Sequence, residues 1–97
     1  MYYLLVYDIK EDLMHKQKLR KVAKVCEDYG VRIQDSVFEL NIQQKDFLAL
    51  KNKLEQIIDP SIDSIRIYQL GKTYCDKTTV LGKRETFEQI LDDGLFF

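Results

Sequence analysis

Tyr2-Tyr3-Leu4-Leu5-Val6-Tyr7 is an unbroken apolar and aromatic run that stops at the carboxylate of Asp8. Its length and residue types suit a strand buried on both faces, as in the middle of a sheet. Downstream, Leu19, Val22, Ala23, Cys26 and Tyr29 recur at helical spacing, and Gly30 follows at once as a helix stop. Val31–Ile33 and Ser36–Ile42 are rich in β-formers and read as one strand bent at Gln34-Asp35, or as two short strands. Helical spacing returns at Phe47, Leu50, Leu54, Ile57 and Ile58, from about Gln43 to Ile58. Asp59-Pro60-Ser61 ends that helix, because proline disfavours a helical residue before it. Ile62–Leu70 then alternates, with Ile65 and Ile67 on one side and Arg66 and Tyr68 on the other, the pattern of a half-buried strand. Gly71–Lys77 reads as a loop and Thr78–Leu81 as a short β-prone stretch closed by Gly82.

The order β-α-β-β-α-β with a short C-terminal strand predicts an α+β, ferredoxin-like domain: a split βαβ with both helices on one sheet face. The domain spans residues 1–82, its last strand covers about 78–82, and residues 83–97 form an acidic, aromatic tail. The other sheet face is expected to carry Tyr3, Tyr7 and Tyr68, too much apolar surface to leave bare. A second copy can cover it, with the C-terminal strand adding to the other subunit's sheet edge, so a two-fold homodimer is the economical expectation.

Ninety-seven residues leave room for one core, and a composition of 45% hydrophobic and 32% charged residues excludes disordered and collagen-like classes. No apolar run approaches the ~20 residues of a membrane span, so no membrane partner is expected. Cys26 and Cys75 are too few for a disulfide framework and include no CxxC pair, which fits a reducing, cytoplasmic setting. The net charge of −1 hides a segregation: Lys16, Lys18, Arg20, Lys21 and Lys24 are interrupted by no acid, whereas Glu85, Glu88, Asp92 and Asp93 are interrupted by no cation. A polyanion meets the local patch and not the total. Lys16, Arg20 and Lys24 fall at i, i+4 and i+8, a row of about 12 Å that matches several phosphates of a nucleic acid. Arg32 can extend the row or pair with Asp35. A merely solvated helix face explains the same residues.

Asp8 is the strongest candidate for chemistry, because ligands often sit at the carboxyl end of a central strand. Two symmetry-related Asp8 carboxylates facing each other repel unless a cation lies between them, and Mg²⁺ keeping several waters would satisfy both. The competing reading is structural: Asp8-Ile9-Lys10-Glu11 fits a helix N-cap with an acid three residues on. Gly71-Lys72-Thr73 echoes a phosphate-binding loop but has Arg66 where its first glycine belongs, and no following helix is expected. His15 has no Cys or Asp at metal-ligand spacing. Cys26 lies on the apolar stripe and Cys75 has no base beside it, so neither is a credible nucleophile. Phe38 is either ordinary core or the floor beside Asp8, and Tyr2, Tyr3 and Tyr7 either stack on bases or pack at a dimer face.

Tyr7-Asp8-Ile9, the basic helix, Glu27-Asp28-Tyr29-Gly30-Val31-Arg32-Ile33-Gln34, Ser36-Val37-Phe38-Glu39, Asp63-Ser64-Ile65-Arg66-Ile67-Tyr68 and Val80-Leu81-Gly82 together resemble one family. It is the smaller of the two universal CRISPR spacer-acquisition proteins, the CRISPR-associated endoribonucleases. The resemblance implies a ferredoxin-like homodimer with a Mg²⁺-dependent nuclease activity on RNA or DNA, in which Asp8 is the metal-binding and catalytic aspartate. It also implies work alongside the larger integrase subunit in adding spacers to the CRISPR array. Arg20 and Arg32 match basic positions of the family, and Ser36 and Phe38 match its SVF element, with Tyr7 beside the aspartate. Many members carry an arginine early in the first helix, where this chain has His15 and Lys16, a point charge without a bidentate fork. A non-catalytic dimeric scaffold for DNA is the alternative function, and a toxin-like ribonuclease of similar fold is a more distant one.

Overall fold

A computed structural model describes residues 1–82. Its elements are β1 (Tyr2–Asp8), α1 (His15–Tyr29), β2 (Gly30–Gln34), β3 (Val37–Asn41), α2 (Gln44–Glu55), β4 (Ser64–Gly71) and a single-turn α3 (Tyr74–Lys77). The strands form one antiparallel sheet in the order β2-β3-β1-β4, so the N-terminal run lies inside the sheet, flanked by β3 and β4. This is the ferredoxin-like arrangement that the element order predicts. The segment around Gln34-Asp35 resolves into two strands, with a turn at Asp35-Ser36 and a register shift between Arg32 and Gln34.

Within β1 the pleat sends Tyr3, Leu5 and Tyr7 into the core, where they join Val22 and Cys26 of α1 and Leu50 and Leu54 of α2. Each of the larger aliphatic side chains in that cluster contributes about 1.5–3 kcal/mol by leaving water. Tyr3 stacks on Phe47 of α2 at 4.7 Å, and Tyr7 lies against Phe38 at 6.2 Å. The expectation that Tyr3 and Tyr7 line the open face is therefore corrected; of the three tyrosines named for that face, only Tyr68 is on it. In a run with no polar residue, periodicity does not say which alternate set meets the helices, and a slip of one residue exchanges the two sets. The open face instead carries Tyr2, Leu4 and Val6, with Leu4 paired across to Glu39 and Tyr68, and Val6 to Val37 and Arg66.

Gly30 does follow α1, but for a different reason than a left-handed cap. Its backbone is extended, with φ −160° and ψ −165°. A Cβ there would overlap the Leu40 side chain and the Glu39 carbonyl oxygen. Glycine is thus needed for the close approach of β2 to β3 at the helix-to-strand junction. Helix α2 ends at Glu55, short of Ile58, yet the Ile57 and Ile58 amides still donate to the Leu54 carbonyl at 3.0 and 3.2 Å. Both isoleucines keep their contact with the core.

The expected loop 71–77 contains α3, a helix too short to leave a periodic signal. Tyr74 packs its ring on Tyr2 at a centroid distance of 5.6 Å and donates its hydroxyl to the Glu39 carboxylate. Helix α3 thereby covers the Tyr2 end of the open face and leaves the Asp8 end uncovered. Thr78 leaves α3 with extended backbone, and among the described residues no strand forms over 78–82 within the chain. Residues 83–97, the acidic tail, lie outside the described residues.

Candidate functional site

Asp8 is the last residue of β1 and, by the alternation of that strand, projects on the open side with Leu4 and Val6. Its side chain is 66% exposed, and the Lys10 ammonium lies 3.2 Å from Oδ2. An exposed pair of this kind is worth little and yields readily to a stronger cation. The N-cap of α1 is Met14, with no side-chain cap, so Asp8 lies well upstream and caps nothing. The capping reading is overturned: Asp12 shapes that approach instead, its Oδ1 accepting from the Met14 amide at 2.8 Å. Among the described residues no three His, Cys, Asp or Glu side chains converge as a metal centre. One chain offers the exposed Asp8 carboxylate at this place. That suits Mg²⁺, which keeps several waters and takes one or two carboxylates, provided that a second chain completes the set.

The basic row is held elsewhere. Lys16, Arg20 and Lys24 are exposed along α1 and line a groove of about 780 Å³ with Tyr7, Leu19, Glu27, Arg32, Asp35 and Ser36. All four cations expected to bind nucleic acid therefore meet in one depression, beside the apolar stripe of α1. Arg32 holds its guanidinium 5.3 Å above the ring of Phe38, which is fully buried and forms core beneath the groove and not a floor beside Asp8. Tyr7 donates its hydroxyl to the Asp35 carbonyl at 2.9 Å, and its amide donates to the Ser36 carbonyl at 3.0 Å. Burial raises the Tyr7 pKa against the opposing pull of Arg32, so Tyr7 stays a neutral donor. Tyr7 and Ser36 thus shape the groove by fixing the β2–β3 turn, while Asp8 stands on the other side of the sheet.

Two cations of the sequence run do not line the groove: Lys21, which is exposed elsewhere on α1, and Lys18, which is buried. Lys18 turns inward, 9% exposed, and its ammonium lies 2.9 Å from Asp63 Oδ2 and 3.0 Å from Asp12 Oδ2. The hydrogen bonds that it donates to the carboxylates of Asp63 and Asp12 raise its pKa above that of an ordinary lysine. Burial alone would raise the Asp63 pKa, but the Asp59 amide, Lys18 and the Lys10 amide together hold it below the usual value. Sequence reasoning missed this cluster, although Lys18, Val22 and Cys26 fall at i, i+4 and i+8, which places Lys18 on the apolar stripe. Cys26 is an inert core thiol, its pKa pushed up to about 12 by burial. The His15 Nδ1 lies 3.1 Å from the Lys10 carbonyl, a turn contact at the start of α1.

A family model described as CRISPR associated protein Cas2 matches residues 1–78. The chain belongs to the Cas2 family. It is 41% identical to the CRISPR-associated endonuclease Cas2 of Halalkalibacterium halodurans over the full length of both chains. It is 49% identical to a CRISPR-associated endoribonuclease Cas2 of Moorella thermoacetica, over 72% of this chain and 74% of that one. The crystal structure of Streptococcus pyogenes Cas2 superposes with a TM-score of 0.74 at 44% identity, covering 84% of this chain and all of that one. The resemblance carried by Tyr7-Asp8-Ile9, Glu27–Gln34 and Ser36–Glu39 is therefore correct at the level of family and fold. Among the described residues no helix is long and apolar enough to cross a membrane.

Proposed function

We propose that this Cas2 chain acts as a two-fold homodimer with Mg²⁺-dependent endonuclease activity on RNA or DNA, working with the larger integrase subunit in the acquisition of CRISPR spacers. The observation that carries this reading is the place of Asp8: an accessible carboxylate at the end of an interior strand, on the face where Leu4 and Val6 await cover. Packing two open faces about a two-fold axis near this end would let the Asp8 carboxylates of the two copies hold one cation. The bound ion supplies Lewis-acid polarisation of a phosphodiester and a more acidic water. The chain's own residues do the rest. Asp8 holds the carboxylate at the symmetry line, and its ordinary companion Lys10 gives way. Lys16, Arg20, Lys24 and Arg32 bind backbone phosphates and fix the nucleic acid without reading its sequence. The names of the relatives, endonuclease and endoribonuclease, support the same chemistry.

A second reading, a non-catalytic scaffold that spans duplex DNA and bridges integrase subunits, is favoured by one feature of the site. The side chain paired with Asp8 is a lysine, and among the described residues no histidine or second carboxylate bonds to Asp8 as a general acid or base. Leu4→Arg separates the two. It places a charge in the middle of the open face while leaving the buried side of β1 untouched. The expected result is a folded protein that sediments as a monomer and has lost Mg²⁺-stimulated cleavage of single-stranded RNA and duplex DNA. A variant that remains dimeric shows that this face is not the interface. A clean monomer with full cleavage shows that catalysis does not need two copies. A wild-type protein that binds duplex but cleaves neither substrate with Mg²⁺ leaves the scaffold.

A further inference from the structure

Asp63 is buried, with no exposed side-chain surface. Both of its oxygens are engaged. Oδ1 accepts from the Lys10 amide at 2.9 Å, while Oδ2 accepts from the Asp59 amide at 2.9 Å and from Lys18 Nζ at 2.9 Å. Lys18 carries the network on to Asp12, whose other oxygen holds the Met14 amide. A buried ion pair is a poor way to gain stability, because desolvation consumes most of the attraction and apolar side chains of similar volume would serve as well. What it provides and an apolar pair cannot is direction. The network ties the chain just past Asp8 to the turn before β4 and to the first turn of α1. It also acts from both sides of Asp8, since Lys10 lies two residues on and Ser64, covalently next to Asp63, is the strand partner of Asp8.

We propose that Asp63, with Lys18, is a positioning pair that fixes the backbone at Asp8 so that its carboxylate meets the metal in one orientation. This role rests on the metal-site reading above. The Asp8 side chain is 66% exposed and its ion pair with Lys10 is an exposed one, so the backbone that carries it must supply the order. An outer contact of this kind typically accounts for about 10–100-fold in metal affinity or activity.

The test uses Mn²⁺ as the probe and follows the broadening of backbone amide signals in the full chain. In the wild type, Mn²⁺ broadens the Asp8, Ile9 and Lys10 amides. Asp63→Asn retains the shape but offers one acceptor oxygen where two are used. It is expected to speed hydrogen exchange at the Lys10 amide and raise the half-saturating Mn²⁺ concentration about tenfold. The matching kinetic result is a loss in kcat of similar size with KM for the nucleic acid unchanged. Lys18→Met leaves both backbone amides bonded to Asp63 and gives a smaller shift in the same direction; it decides the matter if Asp63→Asn does not fold. Leu54→Ala, a core truncation under α2, controls for stability by lowering the melting temperature without moving the Mn²⁺ midpoint. The proposal is overturned if the positioning variants bind Mn²⁺ as the wild type does despite faster exchange at Lys10, or if Leu54→Ala shifts the midpoint equally. No broadening at Asp8 in the wild type removes the metal site, and this role falls with it.

Discussion

Asp8→Ala is expected to lower Mg²⁺-stimulated cleavage by roughly 100-fold or more, since it deletes a ligand outright where loss of an outer contact alone costs up to that amount. The same variant should bind duplex DNA with nearly unchanged affinity. The reason is spatial: Asp8 stands on the open side of the sheet, whereas the groove lined by Lys16, Arg20, Lys24 and Arg32 lies on the α1 side. Its melting temperature should also be close to that of the wild type, because Asp8 caps no helix and its one recorded side-chain ion pair is an exposed one with Lys10. Gel assays on labelled RNA and duplex DNA, with binding followed by fluorescence anisotropy, measure both quantities in one preparation. Undiminished cleavage in Asp8→Ala would place the chemistry elsewhere or outside the protein.

The second large effect belongs to the basic row. Removing two phosphate contacts with Lys16→Ala and Arg20→Ala together should reduce the slope of log K against log salt by about 2, at roughly 0.9 per contact. Extrapolated from 1 M salt, that corresponds to a loss of affinity on the order of 50-fold at 0.1 M. Lys18→Met is the internal control. It removes a cation from the same helix and the same stretch of sequence, yet Lys18 is directed at Asp12 and Asp63, so the slope should stay at the wild-type value. A lowered slope for Lys18→Met, or an unaltered one for the double variant, would show that net charge and not the groove governs binding.

The contrast between Lys16 and Lys18 illustrates how much was legible beforehand. Periodicity identified α1, α2 and β4, whose apolar residues repeat at spacings that only one local structure satisfies; β1 came from its unbroken apolar run, one or two strands were left open around Gln34-Asp35, and the strand expected over 78–82 does not form among the described residues. It could not choose the inward set of β1, where every residue from Tyr2 to Tyr7 is apolar or aromatic; that choice is made by packing against Val22, Cys26, Leu50 and Leu54. Asp8 stood out as a carboxylate ending an interior strand, and Arg32, left open between joining the row on α1 and pairing with Asp35, lines the same groove as both. The cluster of Asp12, Lys18 and Asp63 was hidden because its members are far apart in sequence and each has an ordinary local explanation: a turn, a basic run, and a residue after Pro60. Gly30 was placed correctly and explained wrongly, since a left-handed stop and a close strand approach both call for glycine, and only the position of Leu40 and Glu39 separates them.

The central claim concerns two chains and one ion, so the most direct measurement is the stoichiometry of Mn²⁺ bound at saturation. Calorimetric titration of the wild-type protein should give one ion for every two chains, and Asp8→Ala should abolish that site. One ion for each chain, or a site that survives the loss of Asp8, would contradict the account.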